Sequence, residues 1–215
     1  MAIEIRPVVL ADELRAVQRQ RYEIYVEELG FANPQAEPGV RIVADALDDT
    51  GQILGAFDGA VLAGSVRVNY GDFGEYAELD CVRRFGPYFP GRMMLITKLV
   101  IEPAHRAGTL MGRFGMALYL HTLDSHPQTM FGVMSCLPSN AGYFRRLGYR
   151  QIGAPFRHAA AGVTLPMAAA IYDKEHFRRI GCPLVKACPR HDEESSGWFA
   201  RTFASEFESE PCTSR

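Results

Sequence analysis

An apolar strand that runs into a basic turn and then into a helix is the feature that most constrains the fold. Residues 94–101 have the composition of a buried strand, and a helical pattern starts at Leu110. The turn between them contains Arg106 and Gly108. The first turn of a helix has unpaired N–H groups and a dipole that favours negative charge. The segment therefore predicts a site for a phosphate-bearing ligand.

The rest of the chain is predicted to form one mixed domain over 1–180, because no linker interrupts it. Its elements are a strand over 3–9, a helix over 11–29, a hairpin of strands 52–57 and 61–68, a strand over 94–101, a helix over 110–123, a strand over 130–136, a short helix over 141–147 and a strand over 163–172. The polar, aromatic stretch 70–91 is interpreted as a long connection with at most one helical turn.

Residues 181–215 are interpreted as a C-terminal extension. Phe199, Phe203 and Phe207 follow Ser195-Ser196 at i, i+4 and i+8, which predicts an amphipathic helix. That helix either packs on the body or serves as a lid or partner surface. The chain beyond Glu208 is expected to be disordered.

Composition excludes several classes of protein. The 215 residues are 47% hydrophobic, but no run approaches the ~18 apolar residues of a membrane span, and the N-terminus lacks a signal peptide. The cytoplasm is the expected location. The five cysteines are scattered without a CxxC pair, so neither a metal site nor a disulfide framework is predicted. No nucleic-acid partner is expected.

Charge is unevenly distributed along the chain. Residues 83–157 contain ten basic and two acidic residues, a net charge of +8, whereas the remainder carries −10. Such segregation favours an anionic partner for the basic stretch. Pairing of the two parts across the fold is the alternative.

Two landmarks resemble the GNAT superfamily of acyltransferases. The strand 94–101 and its turn resemble the superfamily's donor-binding core, and the segment 139–149, ending in Leu147-Gly148-Tyr149, resembles its next helix. The resemblance implies an α+β (α/β sandwich) GNAT fold: a central, mostly antiparallel mixed sheet with splayed central strands and flanking helices. Pantetheine would enter the gap between the splayed strands.

The same resemblance implies a donor site in which acyl-CoA, or acyl-(4'-phosphopantetheinyl) carrier protein, is a co-substrate and no cofactor is tightly bound. The implied donor residues are Leu99, Val100, Ile101, Arg106, Ala107, Gly108, Thr109, Leu110, Met111, Gly112 and Asn140. This turn departs from the pattern, since Thr109 and Met111 stand where glycines are usual. That departure weakens the prediction of a coenzyme A pyrophosphate site.

The N-terminal half contains residues that could border an acceptor site. Arg21, Asp45, Asp48 and Arg67 could form a polar cluster in which the carboxylates hold an ammonium group and the arginines hold the carboxylates. A buried ion network that only shapes the first helix and its loop is the alternative interpretation.

These segments resemble the acyl-homoserine-lactone synthases and the related N-acyl amino acid synthases. The matching positions are Arg21, Tyr25 and Phe31, then Asp45 and Asp48, then Gly64 and Arg67. The resemblance implies that these residues, apart from Gly64, bind the acceptor. The lactone synthases also have a Glu-x-Ser-Arg motif, where this chain reads Leu95-Ile96-Thr97-Lys98. The missing glutamate argues against a true lactone synthase.

Candidate catalytic groups follow from the chemistry of acyl transfer to an amine, which needs a base and a proton for the departing sulfur. Tyr143 is the candidate acid, although the superfamily's usual tyrosine position is occupied by Phe144. Glu102 and Asp80 are candidate bases. Cys136 is interpreted as a core thiol rather than a nucleophile.

Three functions are compatible with the sequence. The first is transfer of a long-chain acyl group from acyl-carrier protein or acyl-CoA to an amino-acid-like small-molecule amine. The second is acetyl-CoA-dependent N-acetylation of a small amine, and the third is a catalytically inert module that binds acyl thioesters. An acyl-carrier protein is the expected macromolecular partner, and the sequence is compatible with a homodimer.

Overall fold

One eight-stranded sheet carries the fold in the computed structural model, which describes residues 3–208 apart from the side chain of Glu208. The strands are β1 (Glu4–Pro7), β2 (Ala36–Glu37), β3 (Ile42–Val43), β4 (Gln52–Asp58), β5 (Val61–Tyr70), β6 (Met93–Ile101), β7 (Phe131–Cys136), β8 (Arg150–Gln151), β9 (Phe156–His158) and β10 (Gly162–Ala170). Their order is β1-β4-β5-β6-β7-β10-β8, with β9 also on β10, and β2 and β3 pair separately. Only the β6–β7 pair among these is parallel, so the predicted mostly antiparallel mixed sheet is confirmed.

Helices pack against this sheet. They are α1 (Ala11–Tyr22), α2 (Leu47–Thr50), α3 (Asp80–Arg83), α4 (Leu110–Ser125), α5 (Ala141–Arg146), α6 (Lys174–Arg179), α7 (Glu193–Thr202) and α8 (Ala204–Glu208). The core lies under them, with Phe114 of α4 and Phe131 of β7 almost completely buried. The major strands and helices lie within a few residues of their predicted positions.

The central strands separate, as the resemblance implied. β6 and β7 pair in parallel from Met93 with Phe131 as far as Ile96 with Met134. Beyond that point β6 keeps its pairing with β5, and β7 keeps its pairing with β10. A wedge-shaped gap therefore opens between the C-terminal ends of β6 and β7.

The first helix departs from its predicted form. α1 ends at Tyr22, and the chain continues as a π-helix over Glu23–Glu28, whose wider turn is closed by the Leu29 N–H donating to the Ile24 carbonyl at 3.0 Å. π-Helical turns occur frequently at functional sites. This one brings the rings of Tyr25 and Phe31 into a stack with centroids 6.1 Å apart.

Short elements account for the remaining differences. The connection 70–91 contains three helical turns, at Gly74–Glu78, at α3 and at Gly86–Tyr88, rather than at most one. β2, β3, β8 and β9 have two or three residues each, which is too short for alternation to appear in a sequence.

The C-terminal helix packs on the body. α7 begins at Glu193, two residues before the Ser195-Ser196 pair, and Asp192 accepts a hydrogen bond from the Ser195 backbone N–H at 2.9 Å. The three phenylalanines meet, and Phe199 and Phe203 are fully buried. The segment packs on the body, as one of the two interpretations expected, but it forms two helices that break at Phe203 rather than the single helix predicted. The expected disorder after Glu208 lies outside the described residues.

No helix within residues 3–208 combines the length and the apolar character needed to cross a bilayer. Over the same residues, histidine, cysteine and acidic side chains form no group of three arranged to hold a metal ion. The cytoplasmic location stays a prediction.

A buried histidine makes the fold sensitive to acid. Burial, followed by the field of Arg150, lowers the pKa of His176 to about 4. Between this value and the ordinary ~6.5, the unfolded chain binds a proton that the folded chain does not, so stability falls as pH falls through that window. From pH 7 to pH 5 the expected loss is about 2 kcal/mol.

Between pH 7 and pH 5, the free energy of unfolding of the His176→Gln variant is expected to fall by about 2 kcal/mol less than that of the wild type. Urea unfolding at pH 7 and at pH 5 measures the difference. His121→Gln, a change at a surface histidine, is the control. An equal acid sensitivity of His176→Gln and the wild type would show that His176 is not the cause.

Candidate active site

The gap between β6 and β7 opens into a cavity of about 720 Å³. Of the residues predicted to bind the donor, it is lined by Leu99, Val100, Ile101, Arg106, Met111 and Asn140. Ala107, Gly108, Thr109, Leu110 and Gly112 do not line it. The first three are exposed in the turn outside the gap, whereas Leu110 is buried in the core, so the predicted donor site is only partly assembled around this cavity.

The gap exposes one edge of β6. Residues 97–101 have a strand partner only on the β5 side among the described strands. Backbone groups on the other edge are therefore available to a ligand, as the resemblance implied for Leu99 and Ile101. Unpaired strand edges of this kind bind extended ligands by main-chain hydrogen bonds.

A bulge in β6 turns the chain at the mouth of the gap. Ser65 pairs with Val100 but Arg67 pairs with Thr97, so β6 has one extra residue over this interval. Lys98 adopts a φ of +54° there. The left-handed conformation costs a residue with a side chain roughly 1–2 kcal/mol.

The basic turn is tied to the protein by its arginines. The Nε of Arg106 donates to the Ile101 carbonyl at 2.8 Å, and its Nη2 donates to Glu28 at 2.7 Å. The hydrogen bond to Glu28 is the first cause of the raised pKa of Arg106, and it lowers the pKa of Glu28. Arg113 donates to the Ile3 carbonyl. Both guanidinium groups thus have protein partners in the absence of a phosphate.

Beside the gap lies a buried cluster of charges, which we call the ion cluster: Arg21, Asp45, Asp48, Arg67 and Lys98. Asp48 accepts from Arg21 at 2.9 Å and from Arg67 at 2.8 Å. Asp45 accepts from Arg67 and lies 3.1 Å from the Nζ of Lys98. The Arg21 side chain is fully buried and that of Arg67 is 1% exposed.

The cluster changes the interpretation of the two aspartates. Burial tends to raise the pKa of Asp45, but the Arg67 hydrogen bond and the Lys98 charge outweigh it and the pKa is lowered. Both carboxylates bind arginines, and Asp45 also contacts the ammonium of Lys98. That they hold the ammonium group of an acceptor stays a prediction. The buried network agrees with the second of the earlier interpretations, and Asp45 and Arg67 also line the cavity, where the first interpretation expected an acceptor.

The candidate acid and bases lie elsewhere. Glu102 does not line the large cavity, because its carboxylate accepts a hydrogen bond from Gln20 at 2.7 Å, and Asp80 is exposed at the start of α3. Tyr143 lines a second, smaller cavity, and its hydroxyl has no hydrogen-bond partner among the described residues. The geometry does not bring Glu102 and Tyr143 together at the gap.

Cys136 lines the large cavity as a protonated thiol. Burial raises its pKa to about 11, and its Sγ lies 3.3 Å from the Met167 sulfur. A thiol of high pKa is a poor nucleophile at neutral pH. The contact and the pKa both favour the interpretation of Cys136 as a core thiol.

Glu75 and His158 also line the cavity, and the sequence did not single them out. The Nδ1 of His158 accepts from the backbone N–H groups of Ala160 and Ala161, at 3.2 and 3.3 Å. Its Nε2 faces a carboxylate oxygen of Glu75 at 3.7 Å. The two residues are 83 positions apart in the sequence and belong to a helical turn and a short strand, so no local pattern could have paired them.

The second cavity, of about 50 Å³, is almost entirely apolar. It shares a wall with the large one, formed by Ile96, Leu99, Met111, Met134 and Phe144. Methionine and leucine side chains in such a wall adapt their shape readily. An apolar chain could thus pass from the gap into the core between the sheet and α4.

Comparisons with known proteins agree with this arrangement. The sequence profile of the N-acyl amino acid synthase FeeM family matches residues 16–170. The structure of FeeM, an N-acyl amino acid synthase from uncultured soil microbes, superposes with a TM-score of 0.66 at 17% identity and covers 86% of this chain and 98% of that one. BjaI, a CoA-dependent acyl-homoserine lactone synthase, gives 0.66 at 19% identity, with 85% and 91% covered.

A curated relative is more similar in sequence. The L-ornithine N(alpha)-acyltransferase of Rhodobacter capsulatus is 29% identical over 153 residues, which cover 63% of this chain and 57% of the relative. The chain thus spans little more than half of that relative's length. The fold class and the resemblance read from the motifs are confirmed, and the match over residues 16–170 shows that the chain belongs to the N-acyl amino acid synthase FeeM family.

Proposed function

We propose that this protein is an N-acyltransferase that moves a long-chain acyl group from a pantetheine thioester to the α-amine of an amino acid. One observation carries the proposal: the cavity at the gap between β6 and β7 is bordered by the ion cluster and shares a wall with an apolar cavity. Donor, acyl chain and acceptor would each find a matching surface there.

The pantetheine arm of the acyl donor would lie along the edge of β6 that faces the gap. Backbone N–H groups near Leu99 and Ile101 would bind the pantetheine and polarise the thioester carbonyl. The N-terminus of α4 would face the phosphate, and Thr109, at its N-cap, makes no side-chain hydrogen bond to the first turn.

The acyl chain would pass between the methionines of the shared wall into the apolar cavity. Burial of each methylene is worth about 0.8 kcal/mol, so a longer chain gains affinity if the wall opens for it. The small volume of this cavity favours a second candidate function, acetyl-CoA-dependent N-acetylation of a small amine. The two functions differ in how the rate depends on acyl length.

For the acceptor, the family and the curated relative support an amino acid with a free α-amine. In the reaction the amine nitrogen bonds to the thioester carbon, the carbon–sulfur bond breaks, and the departing thiolate takes up a proton. Glu75 is the carboxylate in the cavity wall that no arginine or lysine of the described chain neutralises. We therefore assign Glu75 as the base that accepts the proton lost by the amine.

The roles predicted for Glu102 and Tyr143 remain predictions that the contacts do not favour. Glu102 is held by Gln20, and burial raises the pKa of Tyr143, which keeps its phenol protonated beside the apolar cavity. A protonated phenol there could still serve the departing thiolate.

An acyl-carrier protein is the donor we propose, with acyl-CoA as the alternative. The glycine-poor turn favours an acidic protein partner over a tight pyrophosphate cradle. The net charge of +8 over 83–157 supports the same choice, although Arg84, Lys98, Arg106 and Arg150 of that stretch already pair with carboxylates outside it. Against this, two structural neighbours, BjaI and a second acyl-homoserine lactone synthase, MesI, are CoA-dependent.

The test is to incubate the purified protein with L-ornithine and with L-leucine, supplying C2 to C16 acyl groups on carrier protein and on coenzyme A. We expect N-acyl amino acids by mass spectrometry, with rates that rise from C2 to long chains and are higher on carrier protein. Transfer of acetyl alone would establish the second candidate. Donor binding without any transfer would mark an inert thioester-binding module, and equal use of coenzyme A would remove the carrier preference.

A further inference from the structure

We propose that Lys98, supported by Arg67, binds the carboxylate of the acceptor and so makes the enzyme select amino acids over simple amines. The inference rests on the proposed function and names the residue that reads one end of the substrate. Its basis is the strained backbone of Lys98, the charge of the ion cluster and the position of both beside the gap.

The backbone of Lys98 adopts a left-handed conformation that is unfavourable for a residue with a side chain. Among the described non-glycine residues, only Lys98 and Arg41 have a positive φ, +54° in each case. Arg41 is exposed on a turn, whereas Lys98 lies in a central strand with its side chain 13% exposed. A glycine at this bulge would avoid the strain, so the lysine side chain itself is what the site requires.

The charges of the ion cluster do not cancel. Arg21, Arg67 and Lys98 supply three positive charges, and Asp45 and Asp48 supply two negative ones. Burying an unneutralised cation is costly unless an anion joins it. An acceptor carboxylate would complete the cluster.

Lys98 has a donor left for that anion. Its Nζ donates to the Gln35 Oε1 at 2.7 Å and contacts Asp45 at 3.1 Å, which leaves one of its three N–H groups without a hydrogen-bond partner among the described residues. The Nζ also lies 6.0 Å from the centroid of the Tyr25 ring. Burial lowers the pKa of Lys98 despite the Asp45 charge. A bound carboxylate would favour the protonated ammonium and counteract that shift.

The position of Lys98 in the cavity wall also supports the binding of the acceptor carboxylate. Lys98 immediately precedes Leu99, whose backbone borders the gap, and both line the large cavity. The α-amine of an amino acid lies about 3 Å from its carboxylate oxygens, because only two bonds separate the nitrogen from the carboxyl carbon. A carboxylate on Lys98 would therefore hold the amine beside the thioester. The two arginines of the wall are already engaged, since Arg106 is bound to Glu28 and Arg67 to Asp45 and Asp48.

The test compares acceptors that differ only in the carboxylate: L-ornithine with putrescine, and L-leucine with 3-methylbutylamine. We expect the wild type to favour each amino acid by about 100-fold or more in kcat/KM, as sites built to bind a polar group reject analogues without it. In Lys98→Met the preference should fall at least tenfold through a higher KM for the amino acids. Lys98→Arg, which keeps the charge, should retain most of it.

Lys186→Met, a change at an exposed lysine far along the chain, is the control and should match the wild type. Equal use of amino acid and amine by the wild type would overturn the proposal even if Lys98→Met fails to fold. So would a folded Lys98→Met with the wild-type preference. No transfer to any acceptor would instead contradict the proposed function, which separates the two failures.

Discussion

Replacing Asp48 with alanine is expected to destabilise the protein by about 3–5 kcal/mol, the range found when one partner of a buried ion pair is removed. The Arg21 side chain is fully buried, and its Nη1 donates to both carboxylate oxygens of Asp48 at 2.9 Å. The Nε and Nη2 of Arg21 have no hydrogen-bond partner among the described residues. Without Asp48, the Arg21 guanidinium would be a buried charge with no side-chain hydrogen-bond partner among the described residues.

Asp49→Ala is the matched control, since it removes an exposed carboxylate one residue away in the same short helix. We expect its free energy of unfolding to lie within about 0.5 kcal/mol of the wild type, as for most surface substitutions. Urea unfolding of the three proteins at pH 7 gives the comparison. A loss below 1 kcal/mol for Asp48→Ala would mean that water or a structural rearrangement neutralises Arg21.

The two aspartates of the cluster thereby acquire different tasks. Asp48 is 5% exposed and supports the fold through Arg21, whereas Asp45 also contacts Lys98 and lines the cavity. The spacing Asp-x2-Asp reveals that both residues belong to one loop. It cannot reveal which one faces the ligand, because that depends on strands β5 and β6 arriving from elsewhere in the chain.

The sequence predicted the parts of the donor site that are local. The strand, turn and helix from Met94 to Leu123 are consecutive, so their apolar periodicity and the turn composition are enough to place them. The splayed strands followed from the resemblance to a superfamily, and the pairing of β6 with β7 confirms them.

The site residues that could not be predicted from the sequence are brought together by contacts between distant parts of the chain. Glu75 and His158 meet across the cavity from a helical turn and a short strand. Lys98 appeared in the sequence only as part of a missing motif, and nothing there signals its positive φ or its contact with Asp45. The π-helical turn after Tyr22 likewise reads as ordinary helix, because a π-turn changes the period over too few residues to be seen.

A substitution at Gly64 can test how precisely the donor strand β6 must be positioned for acyl transfer. Gly64 pairs with Ile101 on the donor strand, and a Cβ added to it would lie 2.7 Å from the Val100 carbonyl oxygen and 3.2 Å from the Phe114 ring. A backbone atom cannot move aside as the end of a flexible side chain can. Gly64→Ala is therefore expected to push the 100–101 segment of β6 toward the gap.

We expect Gly64→Ala to lower kcat/KM by about 100-fold, because a displacement of about 1 Å in a site that orients two reactants has an effect of that size. Overpacking should also reduce the free energy of unfolding by about 1–3 kcal/mol. Gly39→Ala, where a Cβ meets nothing within 4 Å, is the control and should retain activity and stability.

Acyl transfer assays and urea unfolding on the same samples separate the two effects. A Gly64→Ala protein with wild-type stability but reduced activity would place the effect in the geometry of the gap. Wild-type activity in the folded variant would contradict the prediction, since it would show that β6 can shift without disturbing the donor. The glycine of the Gly-x2-Arg pair would then serve only the sheet, while Arg67, three residues later on the same strand, would remain the link between β5 and the ion cluster.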